Sequence, residues 1–198
     1  MPSNQPLPNE KPPGQVCIEC EKEELRKERI TKILKRLDQD VTTKNAAYAK
    51  DVENGPLPAG KWKCNLYVND VVERAGFHLP DRTCGTKQEI ENWLTDSNVM
   101  CPPVAGELGE GKLANGALIP GLKQVTDPLP GDIIVQKQQF DDASGHSGFV
   151  KSYDPQTKTG VMVSAGAKDV HENVFHVDKG YLGSDGKYHG PLVFQRIE

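Results

Sequence analysis

The stretch from residue 61 to residue 76 contains a cysteine at a position where a nucleophile could work. Cys64 lies on one side of a predicted helix together with Val68, Val71 and Ala75, which follow it by four, seven and eleven residues. In the first turn of such a helix, a sulfur atom lies near unpaired backbone N–H groups and the positive end of the helix dipole. Both favour the thiolate form. The alternative is packing alone, because free cysteines are among the most buried residue types.

A cysteine nucleophile needs a base from elsewhere in the chain, and five histidines are available. His146 is flanked by glycine and serine, small residues that let a substrate backbone approach, and it precedes an apolar run typical of a strand. His78 follows the cysteine helix, where we expect it in solvent. His171, His176 and His189 belong to late strands or turns, where a histidine is more often a surface or satisfied residue. His146 is therefore the preferred candidate.

Length and charge limit the classes of protein. A chain of 198 residues is long enough for one domain with appendages. Its net charge of -4, with dispersed Lys and Arg, gives no electrostatic reason to expect nucleic acid as a partner. No apolar run is long enough to span a membrane, and the polar N-terminus lacks the pattern of a secretory signal. We expect synthesis in the cytoplasm without a signal peptide.

Three segments are predicted along the chain. Residues 1–20 are a proline-rich flexible arm, residues 21–55 a helical extension with an amphipathic helix from Glu21 to about Val41, and residues 56–198 the catalytic domain. The arm ends in a CxxC motif formed by Cys17 and Cys20. No second metal-binding pair follows it, so a local disulfide or two free thiols is favoured over half of a zinc site.

The remaining pattern predicts helices first and strands later. A capping box at residues 86–89 predicts a short helix, and the Gly- and Pro-rich segment 101–131 is expected to be a cleft wall or lid. Five β-rich runs follow, at residues 132–136, 146–153, 160–164, 173–177 and 191–197. This order predicts an α+β fold with an antiparallel sheet of about five strands.

The order of these motifs resembles a known family. A cysteine begins a buried helix, a Pro-Gly-Asp turn enters a strand at residues 130–135, Gly-His begins the next strand at 145–150, and a further strand ends in small residues at 161–166. This order resembles the papain-like bacterial cell-wall amidases of the NlpC and CHAP type, including amidase effectors of type VI secretion. The resemblance covers roughly residues 56–166. It implies a papain-like fold with N-terminal helices packed on the central sheet.

The resemblance also implies catalytic roles. Cys64 would be the nucleophile and His146 the general base, with no metal or other cofactor. The third position, which orients the imidazole, falls at Ser164, and Asp169 or a backbone carbonyl is the alternative. Asn65 stands where these enzymes commonly have serine.

Further implications concern the substrate and the surroundings of the protein. Trp62, Asn65 and Ser147 are candidate substrate-binding residues, and Cys84 and Cys101 are candidates for a disulfide formed in an oxidising compartment. The substrate would be an amide bond of peptidoglycan peptides. An antibacterial effector would be delivered to the periplasm of a target cell by a secretion apparatus and bound in the producing cell by a cognate immunity protein.

Two other classes remain open. One is a papain-like enzyme that modifies host proteins as a deamidase, transglutaminase or protease. The other is a non-catalytic binding module in which Cys64 only packs.

Overall fold

A computed structural model describes residues 17–55, 57, 59–83, 100–137 and 144–198. The helices in this part of the chain are α1 (Ile18–Thr42), α2 (Cys64–Arg74) and α3 (Ala105–Glu110). A small antiparallel pair consists of β1 (Arg82–Thr83) and β2 (Met100–Cys101). The main sheet consists of β3 (Leu122–Val125), β4 (Ile133–Gln136), β5 (His146–Asp154), β6 (Thr159–Ala165), β7 (Val170–His176), β8 (Gly180–Leu182), β9 (Tyr188–His189) and β10 (Leu192–Ile197).

The predicted fold class is wrong. Most of the described chain is a curled antiparallel sheet of eight strands in the order β3-β10-β4-β5-β6-β7-β8-β9, with few helices, rather than a helix-packed, papain-like central sheet of about five strands. The five predicted runs are present as β4, β5, β6, β7 and β10. The prediction missed β3, β8 and β9, which have four, three and two residues and lack the continuous apolar run that marks β4.

The segment from residue 101 to 131 packs against the main sheet and extends it. It forms α3 against β4, and its β3 pairs with β10 at one edge of the sheet. The buried Glu107 stabilises this segment, because its carboxylate accepts hydrogen bonds from the N–H groups of Val104 (2.9 Å) and Ala114 (2.8 Å). None of its residues lines the cavity described below, so its role as a cleft wall or lid stays a prediction. The short helix predicted to begin at the capping box of residues 86–89 lies outside the described residues.

Both faces of the main sheet are buried in its centre. Phe149 of β5 pairs in register with Val163 of β6, and both belong to a core shared with α1 and α2. The next pair, Val150 and Met162, faces a second core on the opposite side of the sheet. This burial explains why these strands read as continuous apolar runs rather than as an alternating pattern. The first core fixes α2, and with it Cys64, against β5.

The amphipathic helix predicted near the N-terminus is present as α1, whose Ile33 and Leu37 are fully buried. Cys17 and Cys20 form a disulfide at its start, one of the two arrangements favoured by the sequence. The predicted arm lies outside the described residues up to residue 16. None of the described helices is long and apolar enough to cross a membrane.

Candidate active site

Cys64 is the first residue of α2, and its position is fixed by the residue before it. Lys63 is 1% exposed, and its ammonium group donates hydrogen bonds to the carbonyl oxygens of Ala49 (3.2 Å), Lys50 (3.2 Å) and Lys61 (2.9 Å). These hydrogen bonds hold the segment that precedes α2 against the start of the helix. Cys64 is the free cysteine of the described residues and is 4% exposed.

His146 is the first residue of β5, and a close approach of two strands sets its position. It pairs in register with Gln136 of β4. The preceding Gly145 has a φ of 143°, and a Cβ at this residue would collide with the carbonyl oxygen of Gln136. Only glycine fits there, because both the backbone angle and the contact exclude a side chain.

Cys64 and His146 line the same cavity, which has a volume of about 600 Å³. Trp62 lines it beside the cysteine, with the ammonium group of Lys50 4.5 Å from its ring centroid. The ends of β6 to β9 supply the rest of the wall. The structure thus brings together the predicted nucleophile and base, which are 82 positions apart in the sequence.

Ser164 occupies the third position. Its Oγ lies 2.9 Å from Nε2 of His146, within hydrogen-bond distance. A glycine permits this approach, because a Cβ on Gly148 would lie 2.9 Å from Cβ of Ser164. The amide of Asn173 lies on the far side of the hydroxyl, with Nδ2 3.5 Å from Oγ.

Asp169, the alternative to Ser164, lines the cavity but contacts His171 instead of His146. Its Oδ1 lies 3.5 Å from Nδ1 of His171, and its carbonyl oxygen lies 3.2 Å from the same nitrogen. Among the described residues, Ser164 is therefore the hydrogen-bonding partner of His146.

The sulfur of Cys64 is held as a thiol. Burial raises its pKa above the ordinary value of 9.0, and this effect outweighs the opposite effect of the backbone N–H and hydroxyl of Ser147 and of the N–H groups of Asn65 and Cys64 itself. The expectation from the helix dipole was a favoured thiolate. The structure favours the thiol instead because the sulfur is almost completely removed from water, which the sequence alone does not show.

The imidazole of His146 is also neutral at pH 7, because burial lowers its pKa to about 4. A neutral imidazole has one nitrogen that donates and one that accepts. When Nε2 donates to the hydroxyl of Ser164, Nδ1 is the nitrogen that can accept a proton.

The three predicted substrate-binding residues differ in position. Trp62 lines the cavity. Asn65 does not, since its side-chain amide donates to the carbonyl oxygen of Pro103 (3.3 Å). Ser147 is fully buried, and its hydroxyl has no hydrogen-bond partner among the described residues; it lies close enough to Cys64 to lower the pKa of the thiol, against the larger effect of burial.

The sequence did not single out a group of residues on β8, β9 and their connecting turn. The ring of Tyr181 lies 5.4 Å from that of His146 and 5.5 Å from that of His189, measured between centroids. Nε2 of His189 lies 3.0 Å from Oδ1 of Asp185. All of them line the cavity. The turn at residues 184–186 was recognisable in the sequence, but its place beside His146 follows from the sheet order.

Cys101 is 2% exposed and is disulfide-bonded. Cys84, the partner suggested for it, lies outside the described residues, so their pairing stays a prediction.

A thiol from α2 and an imidazole from β5 therefore line one cavity, and a buried hydroxyl from β6 lies behind the imidazole. This set is suited to acyl transfer, in which sulfur attacks a carbonyl carbon and the imidazole transfers the proton. No protein-family model matches the chain, and no curated protein matches it.

Proposed function

We propose that the protein is a cysteine hydrolase that cleaves amide bonds of peptidoglycan peptides. The observation that supports this most is the cavity that Cys64 and His146 both line, together with the distance of 2.9 Å between Oγ of Ser164 and Nε2 of the imidazole. The substrate class rests on the resemblance of the short motifs to bacterial cell-wall amidases, independently of the fold.

The first half of the reaction forms a thioester. His146 accepts the proton of the Cys64 thiol as the sulfur attacks the carbonyl carbon of the scissile amide. The developing negative charge on the carbonyl oxygen is stabilised by backbone N–H groups at the start of α2. His146 then donates the proton to the departing amine, and the C–N bond breaks.

The second half releases the acyl group. His146 takes a proton from water, the resulting hydroxide attacks the thioester carbon, and the C–S bond breaks. The proton returns to the sulfur of Cys64. Ser164 keeps the imidazole oriented through both halves, because Nε2 remains bonded to the hydroxyl while Nδ1 exchanges the proton.

The shape and lining of the cavity suit a short peptide. A volume of about 600 Å³ is within the range of pockets that bind small ligands. Trp62 and Tyr181 offer apolar surface, while Lys168, Asp169 and Asp185 offer charges for the amino and carboxyl groups of a stem peptide.

The biological setting that we propose is that of an antibacterial effector. The protein would act in the periplasm of a target cell after delivery by a secretion apparatus, and a cognate immunity protein would protect the producing cell. This setting follows from the resemblance to amidase effectors.

A second candidate is a non-catalytic binding module, and the burial of Cys64 favours it. In this case the cavity would bind a peptide without cleaving it. The two candidates differ in the fate of the ligand, which is unchanged after binding but shorter after hydrolysis.

The test is the digestion of purified peptidoglycan, with the products identified by mass spectrometry. We expect the wild type to produce fragments with new amino and carboxyl termini, and Cys64→Ala and His146→Ala to produce none. Thermal unfolding of Cys64→Ala should show a loss of no more than about 2 kcal/mol, since one buried atom is removed. Intact peptides in the wild-type digest would refute the proposed function.

A further inference from the structure

Tyr181 is held against the face of His146 by a stack of three rings. Tyr181 pairs in register with Phe175 of β7 and with His189 of β9. Its ring is tilted by 42° to that of His146 and by 30° to that of His189. Asp185 fixes the outer ring through its contact with Nε2 of His189 at 3.0 Å.

The hydroxyl of Tyr181 is available to a ligand. It has no hydrogen-bond partner in the part of the chain that the structure describes, and it is not among the atoms sealed from solvent there. The residue lines the cavity that contains Cys64. Burial raises the pKa of Tyr181, and ionised Cys64 and Asp185 would raise it further, so the hydroxyl keeps its proton and can donate it in a hydrogen bond.

The direction of the reaction decides which half of a substrate meets this hydroxyl. The carbonyl oxygen of the scissile bond belongs near the N–H groups at the start of α2. The departing nitrogen belongs beside His146, which gives it a proton. Residues packed against His146 therefore border the amine half of the substrate rather than the acyl half.

We propose that Tyr181 recognises the amine half of the substrate, its hydroxyl donating a hydrogen bond to a peptide carbonyl oxygen of that half. This inference rests on the proposed function and adds to it the leaving-group side of the site.

The hydrogen bond from Tyr181 should also bind an amine that replaces water as the group attacking the thioester. An amine bound on this side can attack the thioester on Cys64, so that a new C–N bond forms and the C–S bond breaks. His146 removes the extra proton from the nitrogen and returns it to the sulfur. The ratio of transfer to hydrolysis therefore reports the contact with Tyr181, while His146 serves both reactions.

The experiment compares Tyr181→Phe with the wild type in the presence of a muropeptide substrate and a dipeptide acceptor. The variant keeps the ring and removes the hydroxyl. We expect the ratio of transfer product to hydrolysis product to fall by about threefold to tenfold, the size of one lost hydrogen bond. Tyr188→Phe is the matched control, since Tyr188 lies on the neighbouring strand, is 40% exposed and does not line the cavity. Its ratio should equal that of the wild type.

Three results would overturn the inference. An unchanged ratio with both rates unchanged in Tyr181→Phe means that the hydroxyl does not contact the amine half. An unchanged ratio with transfer and hydrolysis reduced by the same factor means that Tyr181 only packs against His146. Hydrolysis by the wild type without any transfer to the acceptor means that no such subsite exists. In all three cases the proposed function stands, whereas a wild type that hydrolyses nothing refutes both.

Discussion

At the scale of single residues, Cys64 and His146 of the candidate site are both uncharged. Burial raises the pKa of the Cys64 thiol and lowers the pKa of His146 to about 4, so both groups are neutral at pH 7. In the proposed reaction, proton transfer from sulfur to imidazole therefore accompanies the attack on the substrate, instead of preceding it as in a preformed thiolate–imidazolium pair.

This resting state predicts the pH dependence of alkylation. The rate at which iodoacetamide modifies Cys64 should rise with pH through neutrality and reach half of its maximum above pH 9.0, because only the thiolate reacts and its pKa is raised. The measurement is the loss of free thiol at a series of pH values, followed by mass spectrometry. A rate that is already maximal at pH 6 would contradict the neutral pair.

The hydrogen bond between Ser164 and His146 predicts that substitutions of Ser164 and Asp169 affect the rate of hydrolysis differently. Ser164→Ala removes the hydroxyl at Nε2 of His146, and we expect kcat to fall by about tenfold with KM little changed, because one orienting hydrogen bond is lost. Asp169→Ala is the comparison: because its carboxylate contacts His171 and lines the cavity, we expect this substitution to change KM rather than kcat. Steady-state hydrolysis of a muropeptide measures both.

Two outcomes would count against the assignment of Ser164. One is full activity in Ser164→Ala. The other is a larger loss of kcat in Asp169→Ala, which would make Asp169 the orienting residue after all.

Residue types and order predicted much of this site, but not its electrostatics. Cys64 and His146 could be chosen because a first-turn cysteine and a Gly-His strand are local signals. Ser164 and Asp169 could not be separated, because the choice depends on which side chain crosses from β6 to β5. Tyr181 was missed, since nothing local connects β8 with the beginning of β5.

At the scale of elements, the start of α2 depends on a buried ammonium group. Lys63 joins three backbone carbonyls of the segment that precedes the helix, and Trp62 on that segment lines the cavity. Glycine and proline residues in the segment 54–60 indicate a break in the chain before the helix. The sequence does not indicate that Lys63 would bind this segment to the helix, because lysine is normally an exposed residue.

Lys63→Met should therefore destabilise the protein. The substitution keeps a long apolar side chain but leaves three carbonyl oxygens without their donor, and we expect the free energy of unfolding to fall by about 1–3 kcal/mol. Urea denaturation is the measurement. Lys35→Met on the exposed side of α1 is the control, with an expected change within about 0.5 kcal/mol. Equal stabilities of the two variants would show that the carbonyl contacts contribute nothing.

At the scale of the whole molecule, a sheet with two buried faces positions the site. One face packs against α1 and α2, and the other belongs to a second core formed by residues of β4 to β7 and β10. The sequence predicted the strands with long apolar runs and their antiparallel character. It did not predict the strands at the two ends of the sheet, whose few residues form strands only because a neighbouring strand offers hydrogen bonds.

This architecture explains why the cavity lies where it does. The start of α2 meets the beginning of β5, and the ends of β6 to β9 curve beside them to supply the remaining wall. The short strands missing from the prediction and the turn between them therefore provide Tyr181, Asp185 and His189. Of the residues that line the cavity, the sequence pointed to Trp62, Cys64, His146 and Asp169 as site residues.

The central claim is that the Cys64 sulfur forms a thioester with the substrate. Its most direct test is to quench the protein with acid during the digestion of muropeptides and to measure the mass of the intact chain. We expect an added mass equal to the acyl half of the cleaved peptide, located after trypsin digestion on the fragment Cys64–Arg74 and absent from Cys64→Ala. An adduct on another residue, or continued cleavage by Cys64→Ala, would contradict the account.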